Sequence, residues 1–327
     1  MLNDSPRMLH KLIAGVSMLL AGVVSAQQDF PSKPVRFIVP YDPGGNTTIL
    51  ARLTSEKMAQ GFGQQVLVDN RPGGNTVIGS EAMVRSAPDG HTLLLVTSTH
   101  VISPLLNSKL PYDSVKDFAA VATLARTDLI LSMNPGVAAN NLQELIALAK
   151  ARPGALNAAS IGTGGITHLA SEYFNIQAGV KTQHVPYKGT GLVLTDLVAG
   201  QVQLFFAPPA AIIPFIKSGK LKGIAVTAES RMTALPQVPT FAEGGLPGYE
   251  LKSWYGVLAP GATPRRLLDR LSAEIARALA QPDVRKSMLA QDMDPYITTP
   301  EQFATLMAAE TTKFARIIKT ANIKVEN

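Results

Sequence analysis

Three glycine-rich segments carry the chemistry that this chain's residue types and spacing allow: Pro43-Gly44-Gly45-Asn46, Pro72-Gly73-Gly74-Asn75 and Gly162-Thr163-Gly164-Gly165. Each follows a short apolar run and leads at once into a helical pattern. The first reads Val35–Pro40, then the glycines, then Thr47-Thr48-Ile49-Leu50-Ala51-Arg52. At such a corner the first backbone N–H groups of the helix have no intrahelical partner and lie at the positive end of its dipole. With few side chains in the way they can face a carboxylate, a phosphate or another anion. One such loop is an ordinary turn, but three, divided between two parts of the chain, point to an anionic ligand clasped between them.

The residues expected around that ligand are Tyr41, Asp42, Pro43, Gly44, Gly45, Asn46, Thr47 and Thr48 from the first loop. The second supplies Gly73, Gly74, Asn75, Thr76 and Val77, and the third Gly162, Thr163, Gly164, Gly165, Thr167 and His168. Ser98, Tyr187 and Ala207, each near a strand end, complete the set. Gly45 and Gly164 are expected to matter most, because a side chain there blocks close approach and resists a left-handed backbone. His168, in a first helical turn, either touches ligand or caps locally. Lys188 is within reach of an anion but reads as a surface lysine, and Trp254 reads as packing.

Catalytic templates are missing. The chain has no G-x-S-x-G elbow, no H-E-x-x-H and no P-loop lysine. Gly162-Thr163-Gly164 lacks the third glycine of a dinucleotide fingerprint, where Thr167 stands. The absence of cysteine excludes thiol nucleophiles and thiolate metal sites, and His10, His91, His100, His168 and His184 fall into no ligand spacing. Neither a metal nor a cofactor is expected.

The elements that must hold these loops alternate between strand and helix. Val35–Pro40, Gln65–Asp69 and Thr92–Val96 read as strands, with helices from Thr47 or Thr48 to a terminating Gly61 and over Val77–Arg85. Continuous apolar strands separated by helices imply a parallel sheet covered on both faces. From about Arg126 the pattern starts again, with strands at Leu129–Met133, Asn157–Ser160, Thr182–Pro186, Leu204–Ala207 and Leu221–Val226. Asn141-Leu142-Gln143-Glu144 is a helix start with a cap and glutamate signature, and Thr299-Pro300-Glu301-Gln302 is a capping box with proline at the first helical position. The spacing predicts two α/β domains: residues 27–125 with 254–327, and residues 126–253, joined by a hinge at two crossovers near Arg126 and Trp254.

The chain has 327 residues, 46% hydrophobic and 17% charged, with a formal net charge of +6. Its basic residues are scattered, which argues against nucleic acid, while a mildly positive field attracts small anions. Arg7 and Lys11 precede the apolar run Leu12–Val24 and then Ser25-Ala26, the pattern of a signal peptide over residues 1–26, too short to span a bilayer. Translation from Met8 would remove Asp4 from its basic end. A periplasmic protein is expected.

Further motifs run along the chain: Asn70-Arg71-Pro72-Gly73, Ala87-Pro88-Asp89-Gly90-His91-Thr92-Leu93, Val185-Pro186-Tyr187-Lys188-Gly189, Gly219-Lys220-Leu221 and Leu235-Pro236-Gln237-Val238-Pro239-Thr240-Phe241. Together with Pro43-Gly44-Gly45, they make the chain resemble the Bug family, the extracytoplasmic solute receptors of tripartite tricarboxylate transporters, over essentially its whole mature length. The resemblance implies a type II periplasmic-binding-protein fold of two α/β domains joined by two crossovers. It also implies a small organic carboxylate held largely by backbone N–H groups and waters, the membrane components of such a transporter as partners, and no enzymatic activity. The chain is expected to be a monomer. It departs from the family at Thr48 and Ala207, where aspartates are common, and at Asn75-Thr76-Val77, where Gly-Gly-Asn is frequent; the lost acidic groups favour a ligand without an ammonium group. A sensor for a membrane kinase, or an enzyme on the same scaffold, are the competing readings.

Overall fold

Apolar runs of four to ten residues become most of the strands, and the polar-apolar periodicity between them becomes helices. A computed structural model describes residues 30–249 and 251–323. The expected signal peptide, residues 1–26, lies outside the described residues. From Lys33 onward the chain forms one compact unit built on two sheets.

The first sheet has six strands in the order β11-β4-β10-β3-β1-β2. These are β1 (Val35–Val39), β2 (Val66–Asn70), β3 (Thr92–Thr97), β4 (Phe118–Thr127), β10 (Ser253–Pro260) and β11 (Asp294–Pro295). The second has five, in the order β7-β6-β8-β5-β9. They are β5 (Ile130–Met133), β6 (Asn157–Ser160), β7 (Gln183–Pro186), β8 (Leu204–Ala207) and β9 (Lys222–Val226). Neither sheet is wholly parallel, which corrects the expectation. Strand β10 runs antiparallel to β3 and β4, and β5 runs antiparallel to β8 and β9. Both reversed strands carry the chain out of a crossover, so they enter their sheets from the opposite end to the strands that begin each α/β run.

The parallel pairs are β1 with β2 and β3, and β6 with β7 and β8. Six helices follow these six strands. They are α1 (Asn46–Phe62), α2 (Val77–Val84), α3 (Thr99–Leu106), α5 (Ile166–Ala178), α6 (Thr190–Ala199) and α7 (Pro209–Lys217); α4 (Leu142–Ala151) lies between β5 and β6. In an open sheet, ligands collect outside the carboxyl ends of parallel strands, where all six of these helices begin. Helix α1 does not stop at Gly61 as expected. It continues to Phe62 and ends on Gly63, whose φ of +64° makes the left-handed cap. Asn141 caps α4 by accepting from the Glu144 N–H, and Thr299 with Gln302 forms the expected capping box.

The C-terminal helices α8 (Arg265–Leu279), α9 (Pro282–Leu289) and α10 (Pro300–Thr320) return to the first sheet. Helix α8 packs on β4 and α1, and α10 packs on β4 and α3. Phe303 is fully buried, its ring edge-on to Trp254 with centroids 5.2 Å apart. Trp254 is therefore packing, as its sequence context suggests.

The chain passes between the sheets twice, after β4 and between β9 and β10. These crossovers are bonded to each other: Thr227 N–H donates to the Leu129 carbonyl at 2.9 Å, and Leu129 N–H donates to Thr227 Oγ1 at 2.8 Å. Between them Asp128 is buried, and burial raises its carboxyl pKa, with Asp294 adding to the rise while Lys252 and Arg126 oppose it. A carboxyl raised on folding favours the native state below its unfolded pKa and loses that contribution as pH climbs through the folded value. Asp128→Asn is therefore expected to raise the urea midpoint at pH 7 and to leave it unchanged near pH 3. An equal gain at both pH values would show that charge burial at Asp128 is not the cause.

Candidate functional site

The six helix starts surround one cleft of about 750 Å³ between the two sheets. Asn46 and Thr47 of α1, Thr76 before α2 and Thr99 of α3 line it from the first sheet. Ile166 and Thr167 of α5, Thr190 of α6, and Ala210 and Ala211 of α7 line it from the second. Leu129 of the first crossover, with Thr127 and Ser253 at the strand ends flanking the two crossovers, also lines it. Among the lining residues only Asp42 carries a carboxylate and only Lys188 an ammonium. The remaining polarity comes from hydroxyls, the Asn46 and Asn75 carboxamides and backbone amides, a surface that receives a negative charge with a single lysine beside it.

The hydroxyls are ordered. Tyr41 Oη lies 2.7 Å from Thr97 Oγ1, which donates to Thr99 Oγ1 at 3.2 Å and accepts the Thr99 N–H at 3.3 Å. Burial raises the Tyr41 pKa against the pull of these bonds. Tyr255 is pushed up to about 12, chiefly by burial, while the Asn46 side chain draws it back. Both phenols stay neutral, so the floor of the cleft adds donors and no negative charge.

The structure sorts the expected residues. Tyr41, Asp42, Gly45, Asn46, Thr47, Gly73, Asn75, Thr76, Gly165 and Thr167 all line the cleft. Pro43, Gly44, Gly74, Val77, Gly162, Thr163 and Gly164 belong to the right loops but are not among the lining residues. Five side chains face elsewhere. Thr48 is buried, its Oγ1 accepting from Asn70 Nδ2 at 2.9 Å. Ser98 and Ala207 are buried, Ser98 at the start of α3 and Ala207 in the core of the second sheet. Tyr187 donates to Asp196 Oδ2 at 2.7 Å. His168 is only 4% exposed, and its Nδ1 accepts the Gly164 N–H at 3.0 Å. Because Thr48 and Ala207 lie behind the wall, their missing carboxylates say nothing about an ammonium group on the ligand.

Two details of the loops differ from expectation. Gly45 has an extended backbone (φ −80°), open to any residue, whereas Gly44 has φ +97° and needs to be glycine. In the third loop the Gly164 N–H is taken by His168 and the Gly165 N–H by the Gly162 carbonyl. The donors left to face the cleft are therefore those of Ile166 and Thr167, the first two residues of α5.

Sequence reasoning missed Thr97, Thr99, Thr190, Pro208, Ala210, Ala211, Ser253 and Tyr255, and took Lys188 for a surface residue, although it lines the cleft. Pro208-Pro209 after a strand was a readable signal, since proline favours the first helical position. The threonines carried no signal of their own.

Two predictions follow from the loop geometry. Gly44→Ala is expected to destabilise by about 1–2 kcal/mol through its left-handed backbone, while Gly45→Ala changes stability by less than ~0.5 kcal/mol; urea unfolding of both variants checks the ranking. Thr76 is β-branched yet sits at φ +78°, a conformation that asparagine tolerates better. Thr76→Asn is expected to stabilise by roughly 1 kcal/mol, and a lower unfolding midpoint would show that packing of the buried threonine outweighs its strain.

The comparisons with known proteins agree with this architecture. The family described as the tripartite tricarboxylate transporter family receptor matches residues 50–323. Protein BugT of Bordetella pertussis is 33% identical over 318 residues, covering 96% of this chain and 98% of its own. A Rhodopseudomonas palustris protein solved with adipate aligns with a TM-score of 0.80 at 31% identity, covering 90% of this chain and 99% of that one. MatC from the same organism, with bound malate, aligns at 0.76 and 31% identity, covering 88% and 100%.

Proposed function

Because the chain belongs to the tripartite tricarboxylate transporter receptor family, a family of binding receptors rather than enzymes, we propose that it captures a small dicarboxylate in the cleft and delivers it to the membrane components of such a transporter. The observation that carries the ligand class is the convergence of six helix N-termini on a cavity with one carboxylate in its lining. Each N-terminus favours a nearby negative charge by about 0.3–1 kcal/mol, and by up to ~2 kcal/mol when partly buried. Donors on both sheets suit a ligand charged at both ends, and relatives carry adipate and malate.

The working lobes are residues 27–125 with 254–327, and residues 126–253. Donors lie on both, so a bound ligand draws them together about the crossovers at Thr127–Leu129 and before Ser253. Delivery to a membrane partner fits a periplasmic protein whose leader, residues 1–26, is removed after Ala26. Among the described residues no helix is long and apolar enough to cross a membrane.

Calorimetric titration of the mature chain with adipate, malate and a panel of other mono-, di- and tricarboxylates, each beside its uncharged amide, tests the reading. The expected result is binding of at least one dicarboxylate, no measurable binding of its diamide, and a smaller radius of gyration by small-angle scattering at saturation. Equal affinity for acid and amide would overturn the anion assignment. Unchanged scattering at saturation would overturn the closure.

A further inference from the structure

His168 does not line the cleft, yet it contacts the loop that does. It is the third residue of α5, and its Nδ1 accepts the N–H of Gly164, one residue before the helix N-cap Gly165. Gly162 and Gly164 both have left-handed backbones, at φ +93° and +78°. Two further side chains hold the same turn from the buried side. Ser160 Oγ donates to the Gly162 carbonyl at 3.0 Å, and Thr167 Oγ1 accepts the Ile161 N–H at 2.9 Å. The turn is therefore tied down by three side chains, and of these His168 alone binds the second left-handed glycine, next to the helix N-cap.

The usual third-position residue for reaching back over a helix start is glutamate or glutamine. A glutamate here would place a full negative charge one turn behind the N–H groups that face the anion and oppose its binding. A neutral imidazole supplies the acceptor without the charge. His184 stacks on the His168 ring with centroids 3.6 Å apart and planes 14° from parallel, and Ser160 Oγ lies 2.6 Å from His184 Nε2. Glu172, on the same helix as His168, places a carboxylate oxygen 3.7 Å from the His168 Nε2. His184 is held near a pKa of about 4, chiefly by burial.

We propose that His168 is a positioning residue for the ligand site: as an uncharged acceptor for the Gly164 N–H, it fixes the Gly162–Gly165 turn so that the Ile166 and Thr167 N–H groups point into the cleft. Its effect on affinity rests on the carboxylate reading above, whereas its effect on the loop does not.

Two variants separate the acceptor from the ring. His168→Phe keeps an aromatic ring to stack on His184 and removes the acceptor. His168→Asn removes the ring and keeps an oxygen near the Nδ1 position. Amide hydrogen exchange at Gly164, followed by NMR with circular dichroism as a check on folding, is expected to quicken at least tenfold in the Phe variant and to stay near wild type in the Asn variant. Titration with adipate and malate is expected to show about tenfold weaker binding for Phe, the effect of one lost hydrogen bond of up to ~1.5 kcal/mol, and binding within about threefold of wild type for Asn. The reverse ranking in exchange would make His168 a packing residue and overturn the proposal. If exchange follows the expected order while no carboxylate binds the wild-type chain, the carboxylate reading fails and the loop assignment stands. Nitrogen NMR of the wild-type protein adds a test that needs no variant: a proton found on His168 Nδ1 would overturn the acceptor role.

Discussion

A helix cannot satisfy its own first N–H groups, and in this chain six such deficits meet at one cleft. Six helices begin at the carboxyl ends of six parallel strands, three in each sheet, and their starts surround one cavity. The strand order and the glycine turns serve that arrangement, and Asp42 is the single carboxylate in the lining. Its side chains are balanced in charge, Lys188 against Asp42, so what favours an anion there is the set of helix starts.

The turns that make this possible carry conformational demands at particular positions. Gly44, Gly162 and Gly164 occupy left-handed backbone, and Asn75 and Thr76 do so without being glycine. Where the backbone is least comfortable, buried side chains hold it. Asn70 Nδ2 donates to both the Tyr41 carbonyl and Thr48 Oγ1 behind the first loop. Ser160, Thr167 and His168 do the same behind the third. The expected ligand-binding residues that face away from the cleft thus include parts of the framework that shapes it.

The two crossovers impose the second constraint. They are bonded to each other through Thr227 and Leu129, and Leu129 and the flanking strand ends Thr127 and Ser253 line the cleft itself. A change in the angle between the sheets therefore moves lining residues directly. Asp128, buried between these segments beside Lys252 and Arg126, places a charge-sensitive group at the same point.

The amino-acid sequence by itself determined the α/β class, the restart of the pattern near Arg126, and three loops of the site. Strand and helix periodicities differ, and glycine next to a helix start has a local physical meaning. Thr299 and Asn141 were legible as caps for the same reason, since a cap is a relation between neighbours in the chain. What depended on pairing across long separations was not legible. The antiparallel entry of β5 and β10 follows from the path of the crossovers, and no residue of either strand encodes it. Which of two adjacent glycines takes the left-handed turn, Gly44 and not Gly45, was decided by how the loop meets the sheet. Thr97, Thr190 and Tyr255 joined the cleft, and Thr48, His168 and Ala207 left it, because only tertiary packing determines which side of a wall a side chain occupies.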